Sequence, residues 1–375
     1  MRALEQVFGA VLMLAVLLDV FLTVLYARVG TGVLSPQLAR LTWRLFRFLS
    51  AGRYQPMVLS FCGPAVLVLL VLTWSVLLAF GAGLIIHPEL GTGVRASSGE
   101  TPTDLVTAVY VGGSSLSIVG ASDFAPHTAA MKVLFLFNSV VGTSVISLTL
   151  TYLMQIYAAL RERNALGLKM HAMSAETGDA AELLASLFPD GQLSAGYDNL
   201  SELAGEMSET KESHHFYQVL FYFRFREPYY SVSRTTLLAL DTVSLIKSAL
   251  ADDKAGWVKK SAAAQQFWSV SIMLVSTLDR TFLDQAPEAG SDPQTEPWRA
   301  RYLAAVRRLR QAGLPVVADE EAGAEVYVEL RRQWDLLIAA LAPAMAYSID
   351  EIDPARSRPR EAERRPPFQE RLRSA

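Results

Sequence analysis

Apolar residues are laid out differently in the two parts of the chain. Up to about residue 160 they form long runs broken by short polar stretches; beyond it they recur at helical spacing among charged residues. The runs are Val7 to Tyr26, Met57 to Ile86 and Met131 to Tyr157. A bilayer core takes ~20 such residues, so each predicts a membrane-spanning helix. A signal peptide competes for the first run, but its apolar core would be shorter and no A-x-A-like site follows; Arg28 and a basic segment follow instead. Between the second and third runs, the stretch from Thr103 to about Gly113 predicts a short helix that Thr103 or Asp104 can cap. It is too short to cross. Residues 114–126, SSLSIVGASDFAP, join it to the third run.

Charge sets an expected orientation. Residues 28–57 hold Arg28, Arg40, Arg44, Arg47 and Arg53 and no acid, which places this loop in the cytoplasm by the positive-inside rule. Arg161, Arg163 and Lys169 after the third run agree. The expectation is a multi-pass protein of the inner cell membrane, with its N-terminus outside and its C-terminal part in the cytoplasm. Within the basic loop Ser35 can cap and Pro36 take the first position of a helix. Leu38, Leu41, Leu45 and Phe48 form one face of it and Arg40, Arg44 and Arg47 another, the pattern of a helix lying on the membrane surface. Membrane lipid is thus an expected partner. Asp19, inside the first run, is expensive in hydrocarbon and needs a partner. It is read either as an ion-path or proton-sensing group or as a packing hydrogen bond to Thr23 or another helix.

The stretch 103–157 resembles the pore region of potassium channels and their two-helix relatives: pore helix, filter loop, a proline soon after, then an inner helix. The resemblance covers roughly residues 60–157. Laid on it, Ser117, Ile118, Val119, Gly120, Ala121, Ser122 and Asp123 are the filter, and Pro126 and Thr128 fall where the family often has them. Gly142, twenty-two positions after Gly120, is the inner-helix hinge. The filter departs from the family pattern. Ile118 stands where a threonine hydroxyl completes the innermost ion site, Ala121 replaces an aromatic, and Ser122 replaces a glycine. What the resemblance implies is passive conduction of a monovalent cation, potassium being the family's ion, through a homotetramer with four filter loops at its axis. Asp123 would draw cations to the outer mouth. Ser139, Thr143 and Ser147 share one face of the third run by their spacing of four. They are read as lining a cavity below the filter, or else as helix-packing positions.

Residues 161–375 carry 26 Lys/Arg and 31 Asp/Glu, a net charge of −5 that disfavours a nucleic-acid binder. Expected helices are 180–188, 194–225, 231–251, 257–284, 297–312 and 321–347, with Gln266–Leu283 a bundle helix rather than a fourth span. No GxGxxG turn, phosphate loop, metal-ligand spacing or catalytic constellation is visible. His171, His214 and His215 lack partners in sequence, and Cys62 is the one cysteine. No cofactor and no enzymatic activity are expected. The fold class is an all-α membrane protein: three transmembrane helices, a re-entrant pore helix and loop, and an α-helical cytosolic domain. The divisions are residues 1–57, 58–160, 161–348 and a disordered tail 349–375. A different class of function, a non-conducting membrane sensor or scaffold built on a relict pore unit, is favoured by Ile118 and Ser122.

Overall fold

The computed structural model describes residues 2–26, 32–50, 55–118, 120, 123–283 and 295–356. The chain is a mostly helical membrane protein: Arg2–Leu25, Cys62–Glu89 and Ala129–Met173 are each long and apolar enough to cross a bilayer. It divides into two compact units, one of residues 1–158 with 216–223, the other of the remainder.

In the membrane unit, α1 (Arg2–Val20) continues into a wider π turn, Phe21–Leu25, closed by the Tyr26 N–H donating to the Phe21 carbonyl at 2.9 Å. Next come α2 (Ser35–Leu49), α3 (Gln55–Ser60) and α4 (Cys62–Ile86). The helix expected from Met57 breaks at Phe61 because Pro64 has no N–H for the Ser60 carbonyl and its ring crowds that oxygen. A short antiparallel pair, β1 (Val94–Ala96) with β2 (Phe124–Pro126), ties the loop after α4 to the stretch before the third span. Between the strands lies α5 (Leu105–Leu116); after them α6 (Ala129–Met173) runs for 45 residues. Small residues let these helices approach: a Cβ on Gly9 would lie 2.5 Å from the Gly81 carbonyl oxygen, and one on Gly112 2.5 Å from the Gly83 nitrogen. So α4 packs α1 on one side and α5 on the other.

The expected helix 194–225 stops early. α8 spans Leu193–Phe216, and the aromatic run that follows forms a tight 3-10 turn, Gln218–Tyr222, belonging to the membrane unit. Val219 to Phe223 are all buried, which a one-sided amphipathic helix cannot achieve. Trp43 of α2 meets Phe221 and Tyr222 at ring distances of 6.3 and 5.9 Å.

In the second unit, α9 (Val232–Ala249) is the central helix, buried along its length except for Lys247. Around it pack α7 (Ala180–Leu187), α11 (Ala262–Phe282), α12 (Thr295–Gln311), α13 (Glu320–Arg332) and α14 (Asp335–Ala344). Three of its hydroxyls tolerate burial by bonding their own helix: Thr236 donates to the Val232 carbonyl, Ser244 to Leu240 and Ser248 to Ser244, at 2.6 to 2.7 Å. Two expected helices are each split. Ser261 caps α11 through the Ala264 N–H and separates it from α10 (Asp252–Lys259); a turn at Gln333 and Trp334 parts α13 from α14. The tail expected to lack structure from 349 instead begins with α15 (Ile349–Ile352), closed by a capping box between Ser348 and Glu351, and buries Asp353. Residues 357–375 lie outside the described part.

Candidate functional site

The site of interest is where α5 ends against α6. Asp104 starts α5, accepting from the Thr107 N–H at 3.0 Å and the Thr107 hydroxyl at 2.7 Å. Thr103 is not the cap; its carbonyl faces His87 Nε2 at 3.2 Å, while His87 Nδ1 pairs with Glu5 of α1 at 2.6 Å. At the other end Ser115 donates to the Gly112 carbonyl at 2.7 Å and accepts from the Asn138 carboxamide of α6 at 2.9 Å, all buried. One turn further along α6, Gly142 lies directly against the end of α5. A Cβ there would be 2.7 Å from the Leu116 carbonyl carbon and would overlap its oxygen. Gly142, expected as a hinge, thus acts as a contact point inside an uninterrupted helix.

Ser117 organises the turn that follows. Its N–H donates to the Gly113 and Ser114 carbonyls at 3.1 Å, and its hydroxyl accepts from the Gly120 N–H at 3.2 Å. Gly120 has φ +73°, and a Cβ added there would meet nothing within 4 Å, so conformation rather than space requires glycine. Ile118 is 71% exposed in the single chain. Val119, Ala121 and Ser122 lie outside the described residues. Asp123 is held from two sides, its carboxylate by the Tyr110 hydroxyl of α5 at 3.3 Å and its carbonyl by the Ser97 N–H at 2.8 Å. Ser139, Thr143 and Ser147 are all exposed on α6, and Thr151 continues the row, donating to the Ser147 carbonyl.

Asp19 is 1% exposed and fully engaged. Oδ1 accepts from the Val33 and Leu34 N–H groups, each at 2.8 Å, and Oδ2 from the Ser35 hydroxyl at 2.6 Å and Trp74 Nε1 at 2.9 Å. It caps α2 from a neighbouring helix and joins α1, α2 and α4, which is the packing role. Thr23 reaches it only through Ser35, at 2.9 Å. Ser35, expected as the cap, is instead the first residue of α2. Sequence pattern alone does not point to Asn138, Tyr110 or Trp74; the carboxamide of Asn138 inside an apolar run is the one signal that marks any of them.

The second unit holds a buried ionic cluster that the sequence does not announce. Arg301 bridges Asp241 and Asp353, each at 2.6 Å, and Arg331 reaches Asp241 at 3.2 Å, Asp335 at 2.9 Å and Asp353 at 3.0 Å. The Tyr327 hydroxyl donates to Asp241 at 2.5 Å. Burial alone would lower the Arg301 guanidinium, but Asp241 and Asp353 outweigh it and raise it well above its ordinary value. Burial would raise Asp353, and Arg301 and Arg331 outweigh that, holding it below the usual carboxylate range. Every cluster member has a partner, so the arrangement fixes the bundle rather than offering a reactive group. His214 differs: it is buried, neither ring nitrogen has a hydrogen bond among the described residues, and burial, with Arg163 nearby, brings it down to about 3. No group of three or more His, Cys, Asp or Glu among the described residues is placed to hold a metal ion.

No protein-family profile matches the chain, and no solved structure matches it. A membrane protein of Bacillus subtilis (strain 168), named Uncharacterized membrane protein YdjJ, is 26% identical over 155 residues, 41% of this chain and 45% of that protein. The match thus covers less than half of either chain. It accords with the three apolar helices in marking a membrane protein.

Proposed function

We propose that the chain is a subunit of a tetrameric ion channel in which residues 117–123 form a re-entrant filter loop and cations flow passively along the axis. The observation that supports this reading is the position along α6 at which α5 ends. Gly142 lies thirteen positions into α6, ~20 Å along the helix at 1.5 Å per residue. Leu116 sits against it. The 12 residues of α5 supply ~18 Å of descent, and β2 is joined to β1 eight residues after Leu116, within the ~3.3 Å per residue reach of the chain. A loop that goes down and returns on the same side accounts for these constraints together. Irregular backbone at such depth is tolerated only against protein or along a water-filled path. The exposed hydroxyls of Ser139, Thr143 and Ser147, unsuited to lipid, fit the wall of that path. Carbonyl groups of Val119 and Gly120 would be the ion ligands, with potassium the ion the family resemblance suggests.

A non-conducting scaffold is the second reading, favoured by Ile118, which offers no side-chain oxygen. Flux from potassium-loaded liposomes containing the full-length protein separates the two. The channel reading expects potassium release that Gly120→Ala reduces at least ten-fold, from an assembly of four copies. A strictly monomeric protein in lipid overturns it. So does a silent wild type that Ile118→Thr with Ser122→Gly leaves silent.

A further inference from the structure

Helix α2 carries three separate sectors around its axis. Ala39, Thr42 and Trp43 are buried, with Trp43 set against Phe221 and Tyr222. Leu41, Leu45 and Phe48 are 64, 52 and 79% exposed, so this apolar face is turned away from the protein. Between these two sectors runs a ridge of Arg40, Arg44 and Arg47, spaced four and three apart and all exposed. The helix contains no acid, and none of the three arginines has an ion pair among the described residues. By contrast Arg299, Arg308, Arg310 and Arg332 in the second unit each meet a glutamate. Stacked like charges repel one another, and this ridge has no internal counter-charge. Nor can it turn away, since Asp19 holds the start of α2 and Trp43 anchors its inner side.

We infer that the Arg40–Arg44–Arg47 ridge binds the phosphate groups of anionic phospholipids, with Leu41, Leu45 and Phe48 in the acyl layer beside it. An anion alone satisfies the arginines but leaves the neighbouring apolar sector in water; a lipid with a phosphate head and hydrocarbon tail satisfies both at once. Guanidinium groups suit phosphate in particular through paired N–H donors. This site is independent of whether ions cross the membrane.

The test reconstitutes the full-length protein in phosphatidylcholine bilayers carrying a trace of spin-labelled phosphatidylglycerol or spin-labelled phosphatidylcholine, and compares the motionally restricted fractions. The expected result is a preference for phosphatidylglycerol on the order of five-fold, falling as salt screens the head groups. Arg40→Gln with Arg44→Gln and Arg47→Gln removes the preference, whereas the corresponding three lysine substitutions retain most of it and show that the fold survives. Equal association of both lipids with the wild type overturns the inference, as does a preference that survives the glutamine variant. Equal association accompanied by self-association that the glutamine variant abolishes also overturns it, and assigns the ridge to an acidic surface of a second copy.

Discussion

The two units handle buried polarity in opposite ways. The membrane unit keeps charge to a minimum: one carboxylate, Asp19, is surrounded by four donors, and α5 meets α6 through one carboxamide hydrogen bond, close backbone and apolar packing of Ala108 and Val111 with Met131. The second unit buries two arginines and three aspartates together at the side of its central helix. Hydrocarbon gives no partner to a group left over, so the membrane unit relies on shape and small residues. The second unit compensates its buried charges against each other, and becomes dependent on every one of them.

The largest loss is expected in the second unit. Arg331→Met leaves Asp241, Asp335 and Asp353 short of a cation and should cost ~3–5 kcal/mol, read by chemical denaturation through the buried Trp334. A cost below about 1 kcal/mol would mean that the cluster is not a cooperative unit. In the membrane unit, Gly142→Ala should cost about 3 kcal/mol despite adding one methyl group, because backbone occupies the space. Thermal stability in detergent measures it, and an unchanged midpoint would show that α5 does not end against α6.

Acid sharpens the contrast. His214 is lowered to about 3 in the folded unit, against an ordinary value near 6.5, so the stability tied to its neutral form is present above ~6.5 and lost as pH falls toward 3. Asp353 is also lowered, so its contribution is present above ~3.9 and goes only in stronger acid. The second unit should therefore lose a few kcal/mol between about pH 6 and 4, and His214→Met should flatten that slope. An identical pH profile in the variant would place the titration elsewhere. The smallest effect belongs to Asn138→Leu, about 0.6–1 kcal/mol, since contacts of this kind in membranes are individually weak.

The parts legible in the sequence were those set by local pattern. The three apolar runs correspond to three span-length helices, Asp104 caps α5, and Pro36 lies in the first turn of the amphipathic α2. What escaped depended on distant residues. Nothing near Asp241 in the chain announces Arg301 sixty positions away, and the hydroxyl residues of α9 hide its burial, because bonds to their own helix let them lie inside the bundle. The spacing of leucines and arginines marks α2 as a basic amphipathic helix, but not the inner side taken by Trp43, which depends on the aromatic run at 216–223. In the loop after α5, the tie from Tyr110 to Asp123 and the seat of Leu116 on Gly142 are products of three-dimensional packing that no local pattern announces.

The donors around Asp19 also bear on how the protein is made. Residues 33 to 35 leave the ribosome 14 to 16 positions after it, but Trp74 follows 55 positions later. Until α4 is synthesised, Asp19 therefore lacks one of its four donors. A chain truncated before residue 74 is therefore expected to insert its first helix less efficiently than one that includes α4, read by protease protection in a cell-free membrane system.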